Sequence, residues 1–224
     1  MANIINYQKE LDKVLADDKN IGRSLLLHSC CAPCSSYVLT YLSSFFDITV
    51  FYYNPNITEA DEYRKRVLEQ KRLINALNEE VTIREWAYGG YDRRKINIID
   101  ASYDADDFYK IASGYENEPE GGARCARCFR LRLYESAMMA AKIKADYFGT
   151  TLTISPLKNA ELINSIGISL EKEINSINGT DIKWLPSDFK KKEGYKHSIE
   201  LSKEYDLYRQ NFCGCEFSKG STLE

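Results

Sequence analysis

The sequence has no secretory h-region, no unbroken apolar run of membrane length, no internal repeat, no low-complexity linker and no strong net charge. Met1 to Leu15 mixes Asn, Lys, Glu and Asp with apolar residues, which excludes an export signal of the usual kind. The uncharged stretch between Arg23 and Asp47 is interrupted by His28, Pro33, three cysteines and several serines, so a bilayer span is a poor reading and no membrane partner is expected. A formal charge of −3, from 30 basic and 33 acidic residues, excludes non-specific nucleic-acid binding driven by bulk charge but leaves room for local patches. Lys190-Lys191-Lys192 with Lys196 is one such patch, and Arg124, Arg127, Arg130 and Arg132 form another. Without other support each reads as solvated surface.

The seven cysteines are an odd number, and with no export signal they do not read as a secreted disulfide framework. A cytoplasmic, reducing setting is expected, where clustered thiols more often hold metal or do redox work. At 224 residues, 44% hydrophobic and 28% charged, the chain can bury a core without staples. Residues 1–224 read as a single domain, with Gly220 to Glu224 set aside as extraneous to the fold.

Hydrophobic periodicity predicts helices over Asn6–Asp17, Ser35–Phe46, Thr58–Asn78, Asp104–Ala112, Arg124–Lys144, 159–176 and Ser198–Tyr208. Thr58 is the expected N-cap of its helix. Apolar and β-branched runs predict strands over Ser24–His28, Ile48–Tyr53, Val81–Trp86, Asp146–Ile154 and Ile182–Leu185. The alternation implies an α/β fold, a parallel sheet with helices on both faces.

The cysteines fall at Cys30-Cys31-x-x-Cys34, Cys125-x-x-Cys128 and Cys213-Gly-Cys215. The first group follows the first strand, where open parallel sheets gather ligands. Cys125 and Cys128 share one face at the start of a helix, a place that favours the metal-binding thiolate. Two cysteines from each can converge on one centre, either a structural zinc or a [4Fe–4S] cluster, and spacing alone does not choose. The last pair reads as a redox dithiol, as ligands to a second metal, or as inert thiols. His28 reads first as a hydrogen-bonded core histidine and second as a partner to the centre.

His28-Ser-Cys-Cys-Ala-Pro-Cys34, Asn54-Pro-Asn-Ile57, Gly122-Ala-Arg-Cys-Ala-Arg-Cys128, Thr150-Thr-Leu-Thr-Ile-Ser-Pro156, Asp188-Phe-Lys-Lys-Lys192 and Tyr208-Arg-Gln-Asn-Phe-Cys-Gly-Cys215 occur in that order. Together they resemble the cobalamin-independent epoxyqueuosine reductases of the QueH type, over about residues 24–218. The resemblance implies a nucleotide alpha-hydrolase-like (HUP or PP-loop) architecture without a phosphate loop. It also implies an iron–sulfur oxidoreductase that removes the epoxide oxygen from epoxyqueuosine at the wobble position of tRNA, with an external electron donor. By the same resemblance Cys30, Cys31, Cys125 and Cys128 hold a [4Fe–4S] cluster, and Cys213 and Cys215 form a redox pair. A second, mononuclear metal ion (iron or zinc) is implied too, with Cys34, Asp188 or the C-terminal pair as candidate ligands; Asp188 joins the C-terminal pair as a candidate catalytic residue. The basic patches would then serve tRNA phosphates, and Tyr195, Tyr205 and Tyr208 would offer stacking faces.

Two other functions fit parts of the pattern. An ATP-dependent tRNA thiolase of the PP-loop kind would need a Ser/Gly-rich phosphate cradle after the first strand. Here that loop is Ser29-Cys-Cys-Ala-Pro-Cys34, without glycine and with a proline that removes a donor. A non-enzymatic zinc module that holds RNA or protein is the second.

Overall fold

The computed structural model describes residues 5–88 and 93–219, the side chains of 85–88 excepted. Strands β1 (Arg23–His28), β2 (Phe46–Tyr52), β3 (Asn97–Asp100), β4 (Tyr147–Thr150) and β5 (Lys183–Trp184) form one sheet in the order β3-β2-β1-β4-β5. Every pairing is parallel. Helices α1 (Tyr7–Leu15), α2 (Ala32–Leu42), α3 (Ala60–Tyr88), α4 (Asp106–Ala112), α5 (Ala123–Ile143), α6 (Ala160–Asn178) and α7 (Gly194–Glu204) surround it.

Successive strand residues point to opposite faces, so a strand buried on both sides reads as a continuous apolar run. In β1, Leu25 and Leu27 join Leu11 of α1, Val38 and Leu39 of α2, and Leu73 and Leu77 of α3. Leu26 faces the other way, against Leu133 and Ala137 of α5 and Ile163 and Leu170 of α6. The chain moves outward from β1 through β2 to β3, then returns to pair β4 on the opposite side of β1. That reversal leaves a crevice beyond the carboxyl ends of β1 and β4, the usual ligand position in such sheets.

The helix α6 lies close to the sheet because Gly167 has no side chain. A Cβ built there would fall 2.2 Å from the Trp184 ring, and that ring is held by its Nε1–H donating to Asn164 Oδ1 at 3.0 Å. Gly167→Ala is therefore expected to destabilise the fold by about 1–3 kcal/mol, as overpacking does. A two-state denaturant titration checks this, and a midpoint equal to wild type would refute the contact.

Two sequence expectations need correction. Val81–Trp86 is not a strand but the end of α3. Leu73, Ile74, Leu77 and Val81 are buried at helical spacing, whereas Ile83 is 55% exposed. The third strand lies instead at Asn97–Asp100. Thr58 is not the cap of α3, which opens at Ala60; its backbone N–H donates to the Gly214 carbonyl at 3.1 Å. Other boundaries shift by a few residues. The helix after β1 opens at Ala32, which puts Cys34 inside its first turn. The fourth strand ends at Thr150 and gives way to a 3-10 turn over Thr151–Ile154. The final helix runs earlier than expected, from Gly194. Readings of residues 1–4 and 220–224 lie outside the described residues. No described helix is long and apolar enough to cross a membrane.

Candidate active site and metal centre

The crevice beyond β1 and β4 is a cavity of about 410 Å³. Cys30, Pro33 and Cys34 line it from the loop after β1 and the first turn of α2. Asn54 and Asn56 follow β2, Ile154 to Lys158 follow β4, and Arg209 to Cys213 come from the C-terminal tail. Arg66 and Arg132 reach it from α3 and α5.

Cys30, Cys31 and Cys34 are brought together, their Sγ atoms all within 4.8 Å of one another. Cys30 Sγ lies 3.9 Å from Cys31 Sγ; thiolates on one tetrahedral ion with bonds of about 2.3 Å sit about 3.8 Å apart. Hydrogen bonds from the Cys31 and Cys34 thiols hold the Cys30 thiol well below its ordinary range. The same hydrogen bond pushes Cys31 up to about 12, and Cys34 is pushed well above its usual value by sharing protons with both neighbours. One thiolate stabilised by two thiols is a donor set that fits a metal. The loop geometry is held from below. Ser29 and Ser35 hydroxyls both donate to Gln70 Oε1 at 2.7 Å, and Asn54 Nδ2 donates to the Ser29 carbonyl at 2.8 Å.

Cys125 and Cys128 occupy the first two turns of α5, one in each. The Gly121 N–H donates to Cys125 Sγ at 3.3 Å. The expected lowering of these thiols by the helix N-terminus is not found: burial raises Cys125 and pushes Cys128 up to about 12. Desolvation of the thiolates outweighs the lowering by the nearby guanidinium groups, Arg124 for Cys125 and Arg132 for Cys128. These two are not grouped at single-ion spacing with the first three. Cys213 lines the cavity, whereas Cys215 is buried against Cys128, Phe108 and Ala112. Both are free thiols.

Arg132 links these groups. It is 1% exposed, Nη1 donates to Asn54 Oδ1 at 3.3 Å, and Nε and Nη2 have no hydrogen-bond partner. Burial works against its charge, but Cys128, Cys213, Cys30 and Cys125 together hold it charged. A buried guanidinium with two orphaned nitrogens among four thiols calls for an anionic group, since leaving it unpaired is expensive. A thiolate-bound metal centre fits that demand.

Lys158 lines the cavity, half-buried. Burial opposes its charge, and the thiols of Cys213, Cys30 and Cys34 more than offset this, holding its ammonium above the usual range. Asp188 does not line the cavity; it pairs with Lys190 at 2.8 Å. His28 is fully buried, its Nδ1 2.9 Å from Thr150 Oγ1 and its Nε2 3.2 Å from the Tyr53 carbonyl. Burial and then Arg132 lower it to about 3, so it is a neutral core residue.

The two basic patches come apart. Arg124 is buried, giving one nitrogen to three carbonyls of the 115–118 loop, and Arg130 pairs with Glu173 at 2.8 Å. Lys190, Lys192 and Lys196 pair with Asp188, Asp12 and Glu193. Of the three tyrosines only Tyr195 lines the cavity. Tyr205 donates to Glu80 and Tyr208 to Glu62. Arg66 and Lys158 are functional candidates with no local signal in the sequence.

A sequence profile of the family described as "Epoxyqueuosine reductase QueH" matches residues 25–221. The chain belongs to the QueH family. A Staphylococcus epidermidis protein named epoxyqueuosine reductase QueH is 40% identical over 218 residues, covering 96% of this chain and 84% of that protein. One of the same name from Streptococcus pyogenes is 38% identical over 96% of this chain and 78% of its own length. The Thermotoga maritima protein of that name is 34% identical over 87% and 90%. The QueH family is an α/β fold here, with a cysteine group able to hold a metal at the mouth of β1.

Proposed function

We propose that this QueH-family chain is an iron–sulfur epoxyqueuosine reductase acting on tRNA, removing the epoxide oxygen by two-electron reduction. The observation that carries the reading is the cavity itself: one pocket at the sheet's reversal point, lined by Cys30, Cys34 and Cys213 together with Lys158, Arg66 and Arg132. It offers thiols for a redox centre and cations for an anionic substrate in the same space.

The reading assigns Cys30, Cys31, Cys125 and Cys128 to a [4Fe–4S] cluster, with Cys34 beside them for a second ion. When bound, the cluster supplies one-electron transfer at the cysteine-lined end of the cavity. The residues of the chain supply the rest. Arg132 holds a positive charge at that end, Asn54 fixes Arg132, and Arg66 anchors the tail by donating to the Cys213 carbonyl at 3.1 Å. Lys158 and Arg209 offer charge to nucleotide phosphates, and exposed Tyr195 offers a stacking face at the mouth. Asp188 acts at one remove, through Lys190, whose Nζ lies 3.4 Å from the Thr153 carbonyl and 3.5 Å from that of Lys158.

The PP-loop alternative finds no support in the loop after β1. Pro33 sits in the first turn of α2 and brings no N–H, and the Ser35 N–H there donates to the Cys31 carbonyl at 3.1 Å. Turnover is therefore expected without ATP. The test is epoxyqueuosine-containing tRNA incubated anaerobically with a strong reductant, followed by nucleoside mass analysis, with and without nucleotide. Formation of queuosine only when ATP is present would return the thiolase-type reading to first place.

A further inference from the structure

We propose that the amide oxygens of Asn56 and Gln210 hold the hydroxyl groups of the substrate's cyclopentane ring and so select a ring-bearing base. The inference rests on the epoxyqueuosine reductase reading, whose substrate carries a pair of hydroxyls beside the epoxide on that ring.

Asn56 lines the cavity and is 1% exposed. Its Oδ1 is shut off from solvent and has no hydrogen-bond partner among the described residues. Gln210, which lines the same cavity from the tail, leaves Oε1 in the same condition. Buried amide oxygens are nearly always paired, and one left unpaired carries the cost of its lost hydration. The Asn oxygen is separated from Cβ by a single carbon, so an Asn that lines a wall keeps its amide at that wall.

The neighbouring polar groups are already bonded. Asn54, in the same turn, donates from Nδ2 to the Ser29 carbonyl at 2.8 Å and accepts from Arg132 at 3.3 Å. Arg66 gives its nitrogens to Glu62 and to the carbonyls of Phe212 and Cys213. Ser198 Oγ donates to the Tyr195 carbonyl at 2.6 Å. The two amide oxygens are acceptors that the wall leaves unused, and a ligand with neutral hydroxyl donors satisfies both.

The backbone under Asn56 is fixed while its amide oxygen is not. The Ile57 N–H donates to the Asn54 carbonyl at 3.1 Å, closing the turn, and the Tyr103 hydroxyl donates to the Ile57 carbonyl at 2.7 Å. The next N–H, of Thr58, donates to the Gly214 carbonyl. The amide is thus carried at a set place and can still turn about its last torsion, whose profile is broad. Substrate and product both keep the hydroxyls, so these bonds serve binding more than the chemical step and act on KM more than on kcat.

Binding to anaerobically reconstituted protein is measured with three forms of one tRNA. The wobble base bears the epoxide ring, the alkene ring of the product, or the aminomethyl group without a ring. Wild type should hold the two ring-bearing forms about equally, and both above the third. In Asn56→Leu, and again in Gln210→Leu, that preference should fall about 10–100-fold, the worth of a buried hydrogen bond to the ligand. The fold makes no use of Asn56 Oδ1, so the denaturant midpoint of Asn56→Leu should equal or exceed that of wild type, whereas Asn54→Leu should lower it. A preference unchanged in either leucine variant would overturn the proposal. So would an equal loss for all three tRNAs, which would put the amides on the amine or on the tRNA backbone. A midpoint lowered as in Asn54→Leu, or lost iron, would also overturn it by giving Asn56 to the fold or to the metal centre. If iron-loaded wild type makes no queuosine and shows no preference among the three tRNAs, the reductase reading itself falls, an outcome the variants cannot mimic.

Discussion

Serine in place of Cys30, Cys31, Cys125 or Cys128 is expected to strip most of the iron from anaerobically reconstituted protein. The wild type should carry about four iron and four sulfide in its main cluster, as a four-cysteine site implies. The physical case begins with Arg132, whose two unpartnered nitrogens sit among Cys30, Cys125, Cys128 and Cys213. Without an anionic centre that guanidinium is a buried unpaired charge, costing several kcal/mol of the order measured when one partner of a buried pair is removed. It continues with burial, which raises Cys125 and Cys128 in spite of the nearby Arg124 and Arg132. Metal reverses that shift, because a coordinating thiol is deprotonated outright. Cys34 is the discriminating position. It stands beside Cys30 and Cys31 at single-ion spacing, so Cys34→Ser should leave the cluster spectrum and lower only the additional metal. Inductively coupled plasma analysis and anaerobic absorption spectra read both outcomes. A colourless protein with stoichiometric zinc and full activity would overturn the iron–sulfur reading. A Cys34→Ser variant that loses the cluster, beside a Cys125→Ser variant that keeps it, would move the ligand set onto the β1 loop.

Much of this site was legible in the sequence because its chemistry is carried by residue type at short spacing. Cys30, Cys31 and Cys34 lie within five residues, and a strand followed by a helix places such a loop at a sheet's open end. The sheet was legible where apolar runs are dense, as in Leu25-Leu26-Leu27. It failed at Val81–Trp86, where alternation of Val81 and Ile83 imitates a strand while the preceding turns of α3 carry the helix through. It failed again at Asn97–Asp100, an edge strand whose residues are at most half-buried and so show little apolar pattern. The arginines misled for a related reason. Arg124, Arg127, Arg130 and Arg132 look alike in the chain, yet α5 turns Arg132 inward by packing on the sheet and leaves Arg130 outside with Glu173. Lys158 and Arg66 had no local signal at all. Their role depends on β4 pairing beside β1 and on the tail returning to α3, both of them long-range events.

The tail is where a single substitution should separate electron transfer from metal binding most cleanly. Cys213 and Cys215 flank Gly214, whose φ of +117° suits glycine and lets the chain turn between them. A Cβ at Gly214 would lie 2.9 Å from Ile57 and 3.2 Å from Arg66, so the turn is pressed against its support. The support is built from polar contacts: Arg66 donates to the Cys213 carbonyl, Thr58 N–H to the Gly214 carbonyl, and Glu62 holds Arg66 at 2.6 Å. Pinned there, Cys213 faces the cavity while Cys215 packs on Cys128. The pair therefore spans from the substrate space to the helix that carries the second cysteine group, a placement suited to relaying electrons. A disulfide closed across one intervening residue is strained and so easily reduced. If the pair is a relay, Cys213→Ser or Cys215→Ser leaves iron count and visible spectrum nearly unchanged and removes most turnover with epoxyqueuosine-containing tRNA. If the pair holds the second metal, metal content and activity fall together, and Cys213→Ser resembles Cys34→Ser. A double serine variant with full activity sinks both roles, and the contacts from Arg66 and Thr58 would then serve only to close the cavity wall.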